Sequence, residues 1–186
     1  MNVKKLISLK KNGLCFKDIT YSEILICLQD STQFLNKRFE DQIKLKNHNL
    51  FLSLTFTSEK NQGEGLITMK VFNDLTDRKN NEEIGLLRFA IHKNSVFLGC
   101  IQTTRNQVKI KNLSKKVFKT QMLNVLFKCF KQFLSNQSIN TIYCTTMNLR
   151  CYTILDANHI LKTNYDELFK SFGGTLENNR WKFTLI

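Results

Sequence analysis

The chain predicts an α+β fold, and three observations carry the prediction. The hydrophobic period changes at Leu50 from helical spacing to β-type runs. Phe118, Met122, Val125, Leu126, Cys129, Phe130 and Phe133 then form one apolar stripe of helical period. A β-run at Asn140–Thr146 and an alternating close at Arg180–Ile186 follow it. The expected architecture is N-terminal helices, antiparallel strands, a crossover helix and then strand–helix–strand, all in one mixed sheet.

At 186 residues the chain fits one domain, and 42% hydrophobic residues with 15 Phe supply a packed core. Residues 18–186 read as that domain, and residues 1–17 as a basic tail carrying Lys4, Lys5, Lys10, Lys11 and Lys17. Leu6, Ile7 and Leu9 between those charges give the second reading, a short contact with an anionic surface. The formal charge of +13 predicts attraction to nucleic acid, anionic lipid or acyl and nucleotide phosphates; the plainer reading is a solvated Lys- and Asn-rich surface. With no signal-peptide pattern and no apolar run near the roughly 18 residues of a spanning helix, a cytoplasmic protein is expected, with peripheral contact at the inner membrane as the option left open.

Taken in order, Thr20-Tyr21-Ser22-Glu23 is a capping box, with Ile24, Leu25 and Leu28 as the apolar face behind it. Ser31 or Thr32 caps a predicted second helix in which Leu35, Phe39 and Ile43 fall at fours. Leu50–Thr57, Leu66–Phe72, Ile84–His92 and Ser95–Gln102 read as a four-stranded antiparallel meander, and Lys93-Asn94 is of hairpin length. Ser114 opens the striped helix. Met147–Asn164 fits no single element. Tyr165–Phe172 reads as a helix stopped by Gly173-Gly174, with Tyr165, Phe169 and Phe172 as the anchors that seat it.

Chemistry is sparsely marked. The six cysteines (Cys15, Cys27, Cys100, Cys129, Cys144, Cys151) form no CxxC and mostly sit in apolar runs, as buried reduced thiols do. His48, His92 and His159 lie far apart with no HxxxH or HExxH, so no metal is expected. Walker A, GxGxxG and GxSxG are absent. Phe89 and Phe97 are placed for base stacking, but core packing accounts for them more simply. Asp166 and Glu167 read as acid–base groups or, more simply, as carboxylates at the positive end of a helix. His159 is the one histidine close in sequence to a carboxylate cluster (Asp156, Asp166, Glu167).

Four segments in order resemble the VirK/YbjX family of Gram-negative bacteria, a family of unknown function. They are Gly65-Leu66-Ile67-Thr68-Met69; Leu87-Arg88-Phe89 through Leu98-Gly99-Cys100-Ile101-Gln102; Leu113-Ser114-Lys115-Lys116; and Tyr165-Asp166 with Phe169 and Phe172-Gly173-Gly174. Arg38 to His48 is more loosely similar, and the resemblance covers roughly residues 40–186. Leu168 stands where the family has Phe, Phe169 where it has Trp, and Thr103 where it has Gly. Lys119-Thr120-Gln121-Met122 lacks the family's Arg and Pro, and most of the family's N-terminal region has no counterpart. The resemblance implies a role in virulence, envelope stress or resistance to cationic antimicrobial peptides.

The element order is also similar to that of GNAT-type N-acyltransferases, which implies acyl-CoA or acyl-carrier protein as the acyl donor. Phosphates would then meet the helix start after the fourth strand, at Thr103, Thr104, Arg105, Lys115 and Lys116, with Lys109 and Lys111 adding charge. Glu64, His92 and Asp166 are the candidates for a general base. The alternative is a non-catalytic basic module that binds an anionic partner: a lipid surface, an acidic protein or RNA. A member that keeps the fold and has lost activity is the third reading.

Overall fold

The computed structural model describes residues 3–16, 18–36, 40–45, 48–58, 61, 64–73, 82–104, 107–146 and 164–185. Arg105 and the whole 147–163 stretch, with Cys151, Asp156 and His159, lie outside the described residues.

Two helices come first, α1 (Val3–Asn12) and α2 (Tyr21–Asn36). Five strands follow: β1 (Glu40–Leu45), β2 (His48–Phe56), β3 (Ile67–Asn73), β4 (Glu82–His92) and β5 (Ser95–Thr103). A broken crossover then runs through α3 (Gln107–Asn112), a π-helical turn (Leu113–Phe118) and α4 (Met122–Ser135). β6 (Thr141–Cys144), α5 (Tyr165–Ser171), β7 (Thr175–Glu177) and β8 (Arg180–Thr184) complete the chain. The eight strands form one sheet in the order β1-β2-β3-β4-β5-β6-β8-β7. Among the described strands only β5 and β6 pair in parallel, as a crossover connection through a helix requires. The α+β class and the mixed sheet are as predicted.

Alternation along the strands sorts the core onto two faces. On β5, β6 and β8, Val96, Leu98, Ile142, Cys144, Trp181 and Phe183 join the cluster under α4 and α5. Phe97 and Tyr143, one residue out of phase, meet Leu9, Leu14, Cys15, Phe16, Ile19, Ile24 and Cys27 on the other face. The predicted stripe of α4 is buried from end to end. Phe89 and Phe97 are buried too, so they pack the core and present no stacking surface.

Four readings are corrected. The stretch read as a basic tail contains α1, and Leu9, Leu14, Cys15 and Phe16 are buried. Lys10 Nζ donates to the Ile19 carbonyl at 2.6 Å, which ties α1 to the approach to α2. Ser31 opens no second helix, because α2 runs through it; its hydroxyl accepts from Ile91 N at 3.0 Å. Ile91 lies beyond Phe89, where the register with β3 ends, so Ser31 supplies the acceptor a neighbouring strand would have offered. Ile43 belongs to β1, paired with Leu50, so the meander has five strands. Finally, the closing strand is a β7–β8 hairpin with β8 placed inside the sheet.

The capping box is present as read. Thr20 N donates to Glu23 Oε2 at 2.8 Å, and Glu23 N donates to Thr20 Oγ1 at 3.2 Å. At the other end of the chain Asn164 caps α5 by accepting from Asp166 N and Glu167 N. Gly173, at φ 81, ends the helix, and Gly174 N donates to Phe169 O. Tyr165 and Phe169 are buried, and Phe172 stacks on Phe127 with ring centroids 4.6 Å apart, so this segment seats the last helix as expected.

Candidate functional site at the crossover

The crossover does not run as one helix from Ser114. It starts at Gln107, widens into the π turn, and stops at Lys119, which takes the left-handed conformation (φ 51) without being glycine. Gln121 is extended, and α4 restarts at Met122. The Gln121 side chain makes no cap, but its carbonyl accepts from the Asn124 and Val125 amides at 3.0 and 3.3 Å, so of the first turn the Met122 and Leu123 amides are the ones outside the helix ladder.

A cavity of about 680 Å³ lies in this break. Ile110, Met122 and Leu123 give it apolar walls; Lys111, Lys115 and Lys119 supply charge; Thr103 reaches it from the end of β5. Such a space suits a ligand with an anionic head and an apolar chain. Of the residues read as phosphate-binding, Thr103 and Lys115 line it. Thr104 and Lys116 are not among its lining residues, and the Thr104 amide donates to Ile84 O at 3.2 Å. Lys119, Gln121 and the start of α4 were missed, because the helix break carries neither Gly nor Pro to announce it.

Among the described residues, β5 and β6 pair from Ser95↔Thr141 to Leu98↔Cys144, and Thr145 N donates to Leu98 O at 3.3 Å. β5 continues to Thr103. At Ile101 the Tyr165 hydroxyl donates to the backbone carbonyl at 2.9 Å and accepts from the amide at 3.5 Å. A side chain thus stands in for a strand there. Sequence reading gave Tyr165 an anchoring role only.

The three base candidates are not brought together. Glu64 pairs with Arg88 in a largely buried ion pair. Asp166 accepts from Trp181 Nε1 at 2.7 Å, on the face of α4 and α5. His92 stacks on Phe97 at 4.8 Å, on the opposite face. Burial lowers the His92 pKa, with Lys93 and Arg180 acting the same way against Glu23 and Asp30. A depressed folded pKa favours the neutral imidazole, so this contribution to stability is complete above about 6.5 and is lost as pH falls through the folded value. His92→Gln is therefore expected to flatten the pH dependence of stability between about pH 7 and 5, read by urea denaturation across that range.

Arg180 organises the face on which His92 lies. Its guanidinium sits 4.3 Å from the Phe16 ring centroid and 5.4 Å from that of Phe97, and it pairs with Asp18 at 3.2 Å and Glu23 at 3.5 Å. Burial raises the Glu23 pKa, but bonds from Thr20 and the Arg180 charge outweigh it and leave it lowered. The five described cysteines are buried, and burial pushes Cys129 up to about 12 and raises Cys27 and Cys144 as well. Among the described residues no three His, Cys, Asp or Glu side chains gather as a metal site requires, and no helix is long and apolar enough to cross a membrane.

No curated protein matches this chain, and neither does any solved structure. A family of proteins of unknown function, DUF535, matches residues 12–185, a reach well to the N-terminal side of residue 40 where the resemblance was traced. It takes in the packed segment from Gly13 through α2 as well as the crossover and the closing hairpin. The chain belongs to the DUF535 family.

Proposed function

We propose that this chain binds a phosphate-bearing acyl carrier, acyl-CoA or acyl-carrier protein, and transfers the acyl group to an envelope-related acceptor, as a GNAT-like acyltransferase would. The observation that carries the reading is a lysine-lined cavity at the break in the crossover, next to a β5–β6 pair that, among the described residues, ends at Leu98. The strand order supports it as well. Lys111, Lys115, Lys119 and the first turn of α4 would meet phosphates, and Ile110, Met122 and Leu123 an apolar chain. A pantetheine arm lying along β5 would take over the Ile101 backbone groups that Tyr165 now satisfies.

Attack of an acceptor amine or hydroxyl on the thioester carbonyl forms the amide or ester and expels the thiol, which takes up the proton the acceptor loses. Glu64, His92 and Asp166 are each engaged elsewhere, so positioning of the two reactants is the contribution this geometry supports best. An envelope acceptor follows from the resemblance to VirK/YbjX proteins and from nothing in the cavity itself.

Thermal unfolding with acyl-CoA or acyl-carrier protein tests the reading. At a hundredfold excess over Kd a ligand adds about 2.7 kcal/mol, a Tm rise on the order of 5–10 °C. The K115E/K119E double variant is expected to lose that rise while unfolding at nearly the same temperature without ligand. No rise with either carrier would remove the reading. A rise without acyl transfer to any amine or hydroxyl acceptor would favour the non-catalytic binder.

A further inference from the structure

Ile7 on α1 is 54% exposed, Tyr21 and Leu25 on α2 are 50% and 38% exposed, and the two helices touch. Tyr21 and Leu25 are four residues apart and share one helical face. Lys10 Nζ lies 5.7 Å from the Tyr21 ring centroid, which joins that face to α1. On α1, Lys4 and Lys11 flank Ile7 at i−3 and i+4, and all three are exposed, while Leu9 turns inward. Among the described residues the other exposed large apolar side chains, Phe56, Val108 and Leu176, sit on three separate elements.

Charge and apolar surface coincide here. The ten residues of α1 carry four lysines and no carboxylate. The nearest acidic groups along the chain, Asp18 and Glu23, are engaged by Arg180. An RNA backbone would use the lysines and leave Ile7 and Leu25 in water. An anionic bilayer uses both, taking isoleucine, leucine and tyrosine into the headgroup boundary while the lysines meet lipid phosphates.

We propose that the outer surface of α1 and the first turns of α2 dock on an anionic lipid bilayer, with Ile7, Tyr21 and Leu25 inserted and Lys4 and Lys11 on the headgroups. No residue of the crossover cavity takes part, so the docking surface stands independently of acyl transfer.

Flotation of the full chain with vesicles tests it. Phosphatidylcholine vesicles containing roughly one-third phosphatidylglycerol are expected to carry the protein at low salt, and pure phosphatidylcholine vesicles to leave it behind. I7S/L25S is expected to bind about tenfold more weakly while remaining folded at the assay temperature, checked by its melting curve, since Ile7 is 54% and Leu25 38% exposed. K4E/K11E should lose more than about tenfold, because each site changes sign. K115E/K119E changes the net charge equally, and an equal loss from it would make the attraction diffuse and overturn the surface. So would absence of flotation with anionic vesicles, or flotation unaffected by I7S/L25S. RNA binding that survives I7S/L25S, with no vesicle binding, would reassign the surface to nucleic acid.

Discussion

Gly99→Ala is expected to destabilise the fold by roughly 3–5 kcal/mol. A Cβ at residue 99 would lie 2.3 Å from the Glu64 carbonyl oxygen and 2.9 Å from Cys15 Cα. Both are backbone atoms, so no side chain can swing aside. Residue 99 is where β5 slips register against β4, since Arg88 faces Cys100 and Phe89 faces Leu98. The Leu14–Phe16 turn and the approach to β3 both press on that spot, and Cys15 Sγ donates to Phe97 O at 3.1 Å. Gly173→Ala is the control: its φ of 81 strains an alanine, but a Cβ there meets nothing within 4 Å. Its cost should stay near 1–2 kcal/mol. Urea denaturation with unchanged m-values measures both, and a Gly99→Ala cost no greater than that of Gly173→Ala would refute the close-packing argument.

Arg88→Met is the second large effect. The Arg88 and Glu64 side chains are only 15% and 11% exposed, so removing the guanidinium strands a buried carboxylate. Such a break costs about 3–5 kcal/mol, whereas replacing both partners with apolar groups of similar volume is often close to neutral. E64M/R88M is therefore expected to be more stable than R88M alone. Arg88 Nε is already buried without a hydrogen-bond partner, which adds to the reasons the pair is not a net source of stability. If R88M costs under about 1 kcal/mol, or if the double variant costs the sum of the singles, the pair is not coupled as its burial implies.

Local signals were legible. Thr20 and Glu23 lie three residues apart, and each satisfies a backbone group the sequence alone can count. The α4 stripe and the Tyr165–Gly174 close were equally readable, because one face and one stop suffice to define them. What failed was set by strand pairing, which periodicity along one segment does not record. Leu35, Phe39 and Ile43 keep helical spacing, but the 40–45 segment pairs with β2, and propensity over so short a window yields to that pairing. β7 is three residues long and wholly exposed, which leaves alternation nothing to register. The cavity was half legible. Thr103 and Lys115 follow from the expected junction, whereas Lys119 and Gln121 depend on a π turn that no Gly or Pro marks.

Arg180 carries a consequence for synthesis. Its carboxylate partners lie 162 and 157 residues earlier, at Asp18 and Glu23. On a ribosome adding about 5–20 residues per second, α1 and α2 emerge many seconds before the guanidinium that clamps them. Until β8 leaves the exit tunnel, Phe16 and Phe97 lack their cationic cover, and the β6 edge lacks a partner. A nascent chain halted before residue 180 is therefore expected to expose this apolar surface to chaperones, and release of the segment from Arg180 onward to bury it in a single late step.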